Sequence, residues 1–403
     1  MAEREVPPPQ SCILFATADW DEPYWTNKQH CAKSLADLGT KVLYVESVGL
    51  RSPKAGSRKD WKRLWNRLSK GLVSLIFGAP ERSTGIYVLS PLLIPAGHRH
   101  ALTRQINRLL LKAAIIRSTW GKRFNQPLIW TYHPFMLEAL NGGAPGALIY
   151  HCVDDLSAVP GIDAQAFRIA EDALICRANA VFATAPSLVE RCKRLNPNTY
   201  YLANVVDADH FSKAMDVKPL PADLADIPEP RIGYHGVLSD FKVDFQLLLD
   251  AAKIRKDWSW IFIGEEREGQ QSELVAELAN LSNVRFLGYR SYRELPDYLR
   301  GVQVGMIPSL LNEYTRSMFP MKYYEYIAAG VPVVSTRLPF LEEKTNLAEI
   351  FIDANSLIAA VEKQLSRDKI SREASKAAVS GNTWAVRTRK MLDLTFGFSV
   401  RDN

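Results

Sequence analysis

A chain of 403 residues is too long for one ordinary hydrophobic core, so we expect two domains of about 150 to 200 residues each. Apolar residues make up 47% of the chain and charged residues 23%, which is typical of a soluble globular protein. The net charge of +6 is uneven, because residues 1–200 hold 25 Lys+Arg against 16 Asp+Glu, whereas residues 201–403 hold 25 against 28.

The amino terminus and the cysteines indicate the cellular compartment. MAEREVPPPQ carries charges before three prolines and lacks the apolar core of a secretory signal, so we expect a cytoplasmic protein. No apolar run is long enough to span a bilayer, since even LLLKAAII is broken by Lys112. The scattered cysteines form no C-x-x-C pair, which favours buried, reduced thiols over a zinc or redox site. They are Cys12, Cys31, Cys152, Cys176 and Cys192.

Most of the positive charge lies between residues 51 and 123, where 16 basic residues accompany two acidic ones. Residues 60–72, DWKRLWNRLSKGL, place tryptophans and leucines at helical spacing among cations. This pattern predicts peripheral contact with an anionic bilayer, such as the inner face of the plasma membrane, and a solvated helix face is the alternative. The second candidate for bilayer contact is HALTRQINRLLLKAAIIRSTWGKRF, whose apolar face is wider. We interpret it as a core-facing helix with solvated cations, and membrane contact is the alternative. No nucleic-acid motif is present, so no nucleic acid is expected as a partner.

In chain order, short β-branched and aromatic runs alternate with helical patterns, which predicts an α/β fold with two parallel sheets. The predicted strands are CILFAT, KVLYVE, IYVLS, PLIWTY, ALIYHC, AVFAT and TYYLA, then RIGYHG, WSWIFIG, VRFLG, VQVGMIP, VPVVS and EIFI. Residues 218–230 are rich in proline and are interpreted as a linker. We therefore predict Rossmann-like domains at 1–205 and 206–380, with a terminal helix in 381–403. Ligands gather at the carboxyl ends of parallel strands. Two such sheets that face one another form a cleft, so we expect the ligand to bind there.

The stretch FPMKYYEYIAAGVPVVST, residues 319–336, predicts a loop, a helix that begins at Pro320 and ends at Gly330, and a strand. The start of a helix favours anions, so Lys322 in the first turn hints at a phosphate ligand. Glu325 is three residues on and lies on the same face, where it could accept hydrogen bonds from two ribose hydroxyls. The alternative is a surface ion pair between Lys322 and Glu325.

PMKYYEYIAAGVPVV resembles the donor-binding signature of GT-B nucleotide-sugar glycosyltransferases, particularly family 4 and the xanthan-type bacterial glucuronosyltransferase. The resemblance implies that Lys322 binds the diphosphate and Glu325 the ribose. FLGYRSYRELPDYL resembles the family's strand, base-contacting turn and following helix, which Ser291 and Glu294 could open as a capping box. NVVDADHF is similar to the family's domain junction, and Trp384 to the aromatic of the helix that returns to the first domain.

The chain also departs from the family pattern. The second glutamate of family 4 is replaced by Ser317, and GVLSDFK, residues 236–242, keeps Lys242 of the phosphate loop but has Val237 where arginine is usual. Arg316, Arg290 or Lys242 itself could supply the missing charge. The resemblance also extends the donor site to three neighbouring positions, Gly236, Tyr289 and Met321.

The catalytic candidates follow strands of the first half. Asp154 and Asp155, after ALIYHC, could raise one another's pKa, which suits a general base for an acceptor hydroxyl. The alternative is that one of them caps the following helix and the other is solvated. His133 lies at the end of another predicted strand. It matches the position that contacts the transferred sugar in the family. Asp19 and Trp20, after the first strand, are candidates for binding the acceptor.

We therefore expect a cytoplasmic, membrane-associating glycosyltransferase that uses a nucleotide sugar, UDP-linked, on a lipid-linked or polysaccharide acceptor, without a metal or cofactor. The possible metal sites, Asp207 with Asp209 and the pair Asp154 and Asp155, are given other roles. The alternatives are a nucleotide-sugar epimerase of the same fold and a catalytically silent nucleotide-sugar-binding protein. A dehydrogenase is disfavoured because no G-x-G-x-x-G follows the first strand.

Overall fold

The structure of the chain is a computed structural model. It describes residues 6–22, 25–47, 69–94, 101–135, 146–159, 162–266, 270–341, 347–367 and 369–397. The chain divides into one unit of residues 1–203 and 385–403 and a second unit of residues 204–384.

The first unit is built on an eight-stranded sheet. Its strands are β1 Ser11–Phe15, β2 Lys41–Val45, β3 Glu81–Ser83, β4 Ile86–Leu89, β5 Leu128–Thr131, β6 Ala147–Cys152, β7 Ala180–Ala183 and β8 Thr199–Tyr201. Their order across the sheet is β3-β4-β2-β1-β5-β6-β7-β8. All pairs are parallel except β3 with β4.

Helices cover both faces of this sheet. They include α1 Asn27–Asp37, α2 Ala101–Thr119, α3 Ala164–Arg177 and α4 Pro186–Lys193. Residues 69–77 are also helical. Two separate apolar clusters line the unit, as expected for a sheet whose strands are buried on both faces.

The second unit is built on a six-stranded parallel sheet. Its strands are β9 Arg231–His235, β10 Ser259–Ile263, β11 Val284–Gly288, β12 Val304–Ile307, β13 Val333–Thr336 and β14 Ala348–Phe351, in the order β11-β10-β9-β12-β13-β14. The helices are α5 Ala208–Phe211, α6 Ala222–Ala225, α7 Phe245–Ile254, α8 Glu273–Ala279, α9 Leu295–Leu299, α10 Glu313–Arg316, α11 Lys322–Ala328, α12 Ala354–Leu365 and α13 Arg372–Val379. A last helix, α14 Trp384–Phe396, contributes Met391 and Leu392 to a core cluster of the first unit.

The two parallel sheets confirm the predicted α/β fold, and each of the thirteen predicted strands is present. The sequence analysis missed β3, which is a polar edge strand of three residues. The predicted linker contains α6. Predicted boundaries at residues 205 and 380 compare with unit boundaries after residues 203 and 384.

The structure also shows the state of the cysteines and the apolar character of the helices. All five cysteines are free, and Cys176 is the exposed one. Among the residues described, no helix is long and apolar enough to cross a membrane. Of the predicted membrane segment, residues 60–68 lie outside the described residues, whereas 69–72 are helical and Leu72 is 51% exposed.

The interpretation of the second basic segment is only half right. One face of α2 does pack on the core through Leu111 and Ala114. A second apolar face, which includes Leu109 and Ile116, is exposed.

Candidate functional site

The helix after Pro320 has the predicted end and a later start. α11 begins at Lys322, two residues after the predicted start. Gly330 has a φ of +74°, and the Val331 N–H donates to the Tyr326 carbonyl oxygen at 2.9 Å, which is the pairing of a glycine-terminated helix. Because α11 has only seven residues, its first side chain is the main source of charge at this end.

Lys322 lies against the loop that follows β9. Its Nζ is 5.2 Å from the centre of the Tyr234 ring. Gly236 has a φ of +116°, and a Cβ at this position would lie 2.8 Å from both Nζ and Cε of Lys322. Glycine is thus required both by the backbone conformation and by the close approach of the lysine. The structure brings together two predicted donor-binding residues, Lys322 and Gly236.

Glu325 is buried beside a histidine. It is 7% exposed, and its Oε2 lies 3.4 Å from His235 Nε2. Burial raises the pKa of Glu325 to about 7, although Lys322 acts in the opposite direction. Burial and the Lys322 charge lower the pKa of His235, so this histidine is neutral. A buried carboxyl group of this kind does not fit the alternative of a surface ion pair.

His235 and Tyr326 belong to this site, and sequence reasoning missed both. The Tyr326 hydroxyl donates to the Gly233 carbonyl oxygen at 3.0 Å and accepts the His235 N–H at 3.3 Å. This links α11 to β9. His235 Nε2 is buried without a hydrogen-bond partner within the described part of the chain. The available signal was a histidine at the carboxyl end of RIGYHG, where ligands gather.

Two predicted phosphate-binding cations are held by neighbouring side chains. Lys242 Nζ donates to the Tyr314 hydroxyl at 3.1 Å and lies 4.5 Å from the centre of that ring. Arg290 forms an ion pair with Asp223 and packs over the Tyr298 ring. An ammonium group has three N–H donors and a guanidinium group has five, so both residues keep donors for a phosphate.

The other predicted donor-binding residues lie before α9 and α11 in the chain. Arg316, the last residue of α10, is exposed, and Ser317 follows it and is buried. Tyr289 and Met321 are half-buried. Of this group, Met321 adjoins Lys322 directly in the chain.

The segment predicted to contact the nucleotide base adjoins Glu325. Ser291 and Glu294 form the predicted capping box. Tyr292 stacks on His210, with ring centres 4.3 Å apart, and its carbonyl oxygen lies 2.8 Å from His210 Nε2. Burial raises the pKa of the Tyr292 hydroxyl, and the charges of Asp207 and Glu325 add to this effect. Tyr292 therefore belongs to the same buried surroundings as Glu325.

Asp207 is a helix cap. Its carboxylate accepts the His210 N–H at 3.1 Å at the start of α5. The described residues contain no group of three or more histidine, cysteine or acidic side chains suited to a metal ion.

The two adjacent aspartates of the first unit have different surroundings. Asp155 is buried and accepts hydrogen bonds from Ser157 Oγ at 2.6 Å and Arg168 Nη2 at 2.7 Å. It also caps the short helical turn at 156–158. Asp154 is half-buried, and its charge partly offsets the burial that lowers the pKa of Lys28. Of the two, Asp154 is the more accessible.

His133 is buried, and so is His151, a second histidine that was not among the predicted site residues. The Phe135 N–H donates to His133 Nδ1 at 3.2 Å, so the neutral ring carries its proton on Nε2. His151 Nδ1 lies 3.0 Å from the Tyr132 hydroxyl. Burial, together with Lys28, lowers the pKa of His151 to about 3.

Trp20 is part of the hydrophobic core. It is 8% exposed, and its ring centre lies 5.1 Å from that of Tyr44. The backbone N–H of Trp20 donates to Glu46 Oε1 at 2.9 Å. Asp19 is half-buried, and its carbonyl oxygen accepts from Gln29 Nε2. Of these two predicted acceptor residues, Asp19 is the more exposed.

Comparison with known proteins finds glycosyltransferases. Residues 229–367 match the family model described as glycosyl transferases group 1. TuaH of Bacillus subtilis, which is named for glycosyl transfer in teichuronic acid biosynthesis, is 29% identical over 161 residues, or 38% of this chain. The match spans 40% of the length of that curated relative.

Solved structures resemble the chain over nearly its whole length. Sucrose-phosphate synthase from Thermosynechococcus elongatus has a TM-score of 0.70 at 16% identity, and the alignment covers 97% of this chain and 99% of that one. HepE of Anabaena, solved with UDP and glucose, has a TM-score of 0.63 at 15% identity, with 96% and 99% covered.

The chain has the GT-B fold. Residues 229–367, the part that matches the group 1 glycosyltransferase model, contain Lys322 and Glu325. These findings confirm the resemblance to GT-B glycosyltransferases. The narrower resemblance to the xanthan-type enzyme stays a prediction.

Proposed function

We propose that this GT-B protein transfers a sugar from a UDP-linked donor to a lipid-linked or polysaccharide acceptor in cell-surface glycan synthesis. The observation that carries the proposal is the grouping of Lys322, Gly236, Glu325 and His235 at the end of β9. Two comparisons support it. HepE was solved with UDP-glucose, and TuaH is named for glycosyl transfer in teichuronic acid biosynthesis.

In this proposal Lys322 binds the diphosphate. Sugar transfer develops negative charge on the departing phosphate, and a preorganised cation stabilises that charge. Gly236 keeps the backbone clear, so a phosphate can approach both the ammonium group and the loop. Lys242 and Arg316 supply further positive charge from neighbouring loops, which makes a metal ion unnecessary in this account.

Glu325 receives the ribose hydroxyls. Burial makes the ionised carboxylate of Glu325 costly, which raises its pKa to about 7. The two ribose hydroxyls would donate hydrogen bonds to the carboxylate. Binding of the nucleotide sugar therefore favours the ionised form of Glu325. His235 is neutral and has a free ring nitrogen on the same side, where it can contact either Glu325 or the donor.

On the acceptor side we propose Asp154 as the base, because Asp155 is already held by Arg168 and Ser157. This role applies if the reaction inverts the anomeric centre. In a retaining reaction the donor phosphate takes the proton, and Asp154, His133 and Asp19 orient the acceptor. Residues 60–72 would bring the protein to the anionic bilayer that carries a lipid-linked acceptor.

A thermal-shift screen of nucleoside diphosphates and their sugars tests the donor assignment. A ligand present at 100 times its dissociation constant stabilises the folded state by about 2.7 kcal/mol. We expect UDP and a UDP-sugar to stabilise the parent protein, Lys322→Ala to abolish the shift, and Lys256→Ala, at an exposed lysine of the same unit, to retain it. An unchanged shift in Lys322→Ala rejects the donor site. Binding without transfer from labelled donors to any acceptor favours the silent nucleotide-sugar-binding alternative.

A further inference from the structure

Helix α2 carries an exposed apolar stripe that the donor site does not explain. Its side chains recur every three or four residues along one side of the helix, and five of the six are large. They are Leu102, Ile106, Leu109, Ala113 and Ile116 of α2, and Trp120, which directly follows the helix. Leu102, Leu109 and Trp120 are 70%, 67% and 77% exposed. Single exposed leucines need no explanation, but a continuous stripe of this kind indicates an interaction surface.

A second exposed apolar segment lies beside the end of this stripe. In the helical residues 69–77, Ile76 and Phe77 are 52% and 72% exposed. Arg117 of α2 donates from Nε to the Ile76 carbonyl oxygen at 2.9 Å, and its guanidinium lies 5.8 Å from the centre of the Trp120 ring. One arginine therefore connects the two segments into a single surface, which we call the α2 surface.

The charge of α2 decides among the possible occupants of this surface. Residues 101–119 contain four Lys+Arg and no acidic residue. At about 100° per residue, Lys112 and Arg117 border the stripe on opposite sides. A second copy packed along the stripe would bring these cations together without acidic partners, which is unfavourable. Residues 48–68 of the same chain hold seven Lys+Arg against one acidic residue, so they too would add like charge.

A bilayer that contains anionic lipid satisfies both features of the surface. An amphipathic helix lying in the interface buries its apolar side below the headgroups while its cations contact lipid phosphates. We propose that the α2 surface, together with residues 69–77, docks the protein on an anionic membrane. This proposal rests on the proposed function, because a lipid-linked acceptor is the reason for the protein to bind a membrane. It assigns membrane contact to residues beyond 60–72.

Sedimentation of the full-length protein with vesicles tests this proposal. Vesicles of phosphatidylcholine alone are compared with vesicles containing about 30% phosphatidylglycerol. We expect the parent to bind anionic vesicles at least tenfold more strongly than neutral ones, with binding weakened by salt. The double variant Leu109→Asp/Ile116→Asp should lose at least tenfold in partition coefficient.

The matched control is Ile169→Asp on α3, where the parent side chain is 65% exposed and belongs to the same unit. It should bind vesicles within twofold of the parent. Equal vesicle binding by the double variant and the parent overturns the proposal, as does an absence of binding to anionic vesicles. Two other results would also overturn the proposal. If the parent forms a dimer that the double variant does not form, the surface binds a second copy. If the double variant no longer binds a purified protein that the parent binds, the surface is a protein interface.

A parallel UDP thermal shift separates this inference from the proposed function. A normal UDP shift in the double variant shows that the protein is folded and that the loss is confined to the membrane surface. Vesicle binding without any nucleotide shift in the parent would reject the donor assignment and leave the α2 surface supported.

Discussion

Glu325→Gln should stabilise the unliganded protein while weakening donor binding. The carboxyl group has a pKa of about 7 in the folded protein in place of the ordinary 4.5. Each pKa unit is worth about 1.4 kcal/mol, so ionised Glu325 costs the folded state about 3 kcal/mol. Neutral His235 cannot offset this cost, because burial and Lys322 lower its pKa.

The sign of the pH dependence follows from proton linkage. Between pH 4.5 and 7 the folded state binds a proton at Glu325 that the unfolded state has released, so stability falls as pH rises through this window. The cost is nearly absent below pH 4.5 and complete above pH 7. Glutamine keeps the shape without the charge. We therefore expect Glu325→Gln to stabilise by roughly 2 to 3 kcal/mol more at pH 8 than at pH 5.

Urea unfolding of the parent and the variant at both pH values measures this difference. Glu373→Gln, at an exposed glutamate of the same unit, is the control and should show no such pH dependence. The reasoning is refuted if Glu325→Gln changes the free energy of unfolding equally at pH 5 and pH 8.

Donor affinity provides the second arm of the same experiment. With a pKa of about 7, about one tenth of unliganded molecules carry the carboxylate at pH 6. UDP binding to the parent should therefore weaken about tenfold from pH 8 to pH 6. In Glu325→Gln the affinity should be low at both pH values, since an amide oxygen cannot replace two carboxylate acceptors.

Three further variants or measurements test other parts of the account. Gly236→Ala should destabilise by about 1 to 3 kcal/mol, because alanine is strained at a φ of +116°. It should also reduce donor affinity at least tenfold, because the new Cβ, 2.8 Å from Lys322 Nζ, would displace the lysine. Gly381→Ala has open space and should change neither quantity. Asp154→Asn should lose transfer activity and keep the UDP thermal shift. Asp155→Ala should instead lower stability by about 1 to 3 kcal/mol, because a helix cap and an ion pair are lost. Loss of activity in the Asp155 variant and loss of stability in the Asp154 variant would contradict the proposed base. In the native protein, Cys176 should react with a thiol reagent much faster than the four buried cysteines, and rapid labelling of all five would contradict the described core.

The sheets could be predicted from the sequence because buried parallel strands are continuous apolar runs. RIGYHG and WSWIFIG are bounded by turn residues and have no helical periodicity. β3, Glu81–Ser83, has no apolar pattern, since it pairs only at the edge of the sheet.

The donor site was predictable in part. Lys322 and Glu325 share one helical turn, so their common face follows from local geometry. The approach of His235 to Glu325 depends on how α11 packs against β9, and it joins positions 90 residues apart in the chain. Local pattern carries no information on such a contact, which is why His235 was missed.

The two faces of α2 and the two aspartates illustrate the same limit. Leu109 and Leu111 are equally apolar in the sequence, and only the tertiary contacts place Leu111 in the core and leave Leu109 exposed. Asp154 and Asp155 are adjacent and chemically identical. The position of Arg168 determines which of them is held as a cap.

A crystal structure of the full-length protein with UDP tests the central claim most directly. The account predicts diphosphate oxygens within about 2.7 to 3.2 Å of Lys322 Nζ beside Gly236, and both ribose hydroxyls on the Glu325 carboxylate. UDP bound elsewhere, or a site at Lys322 that stays empty at saturating UDP, would contradict it.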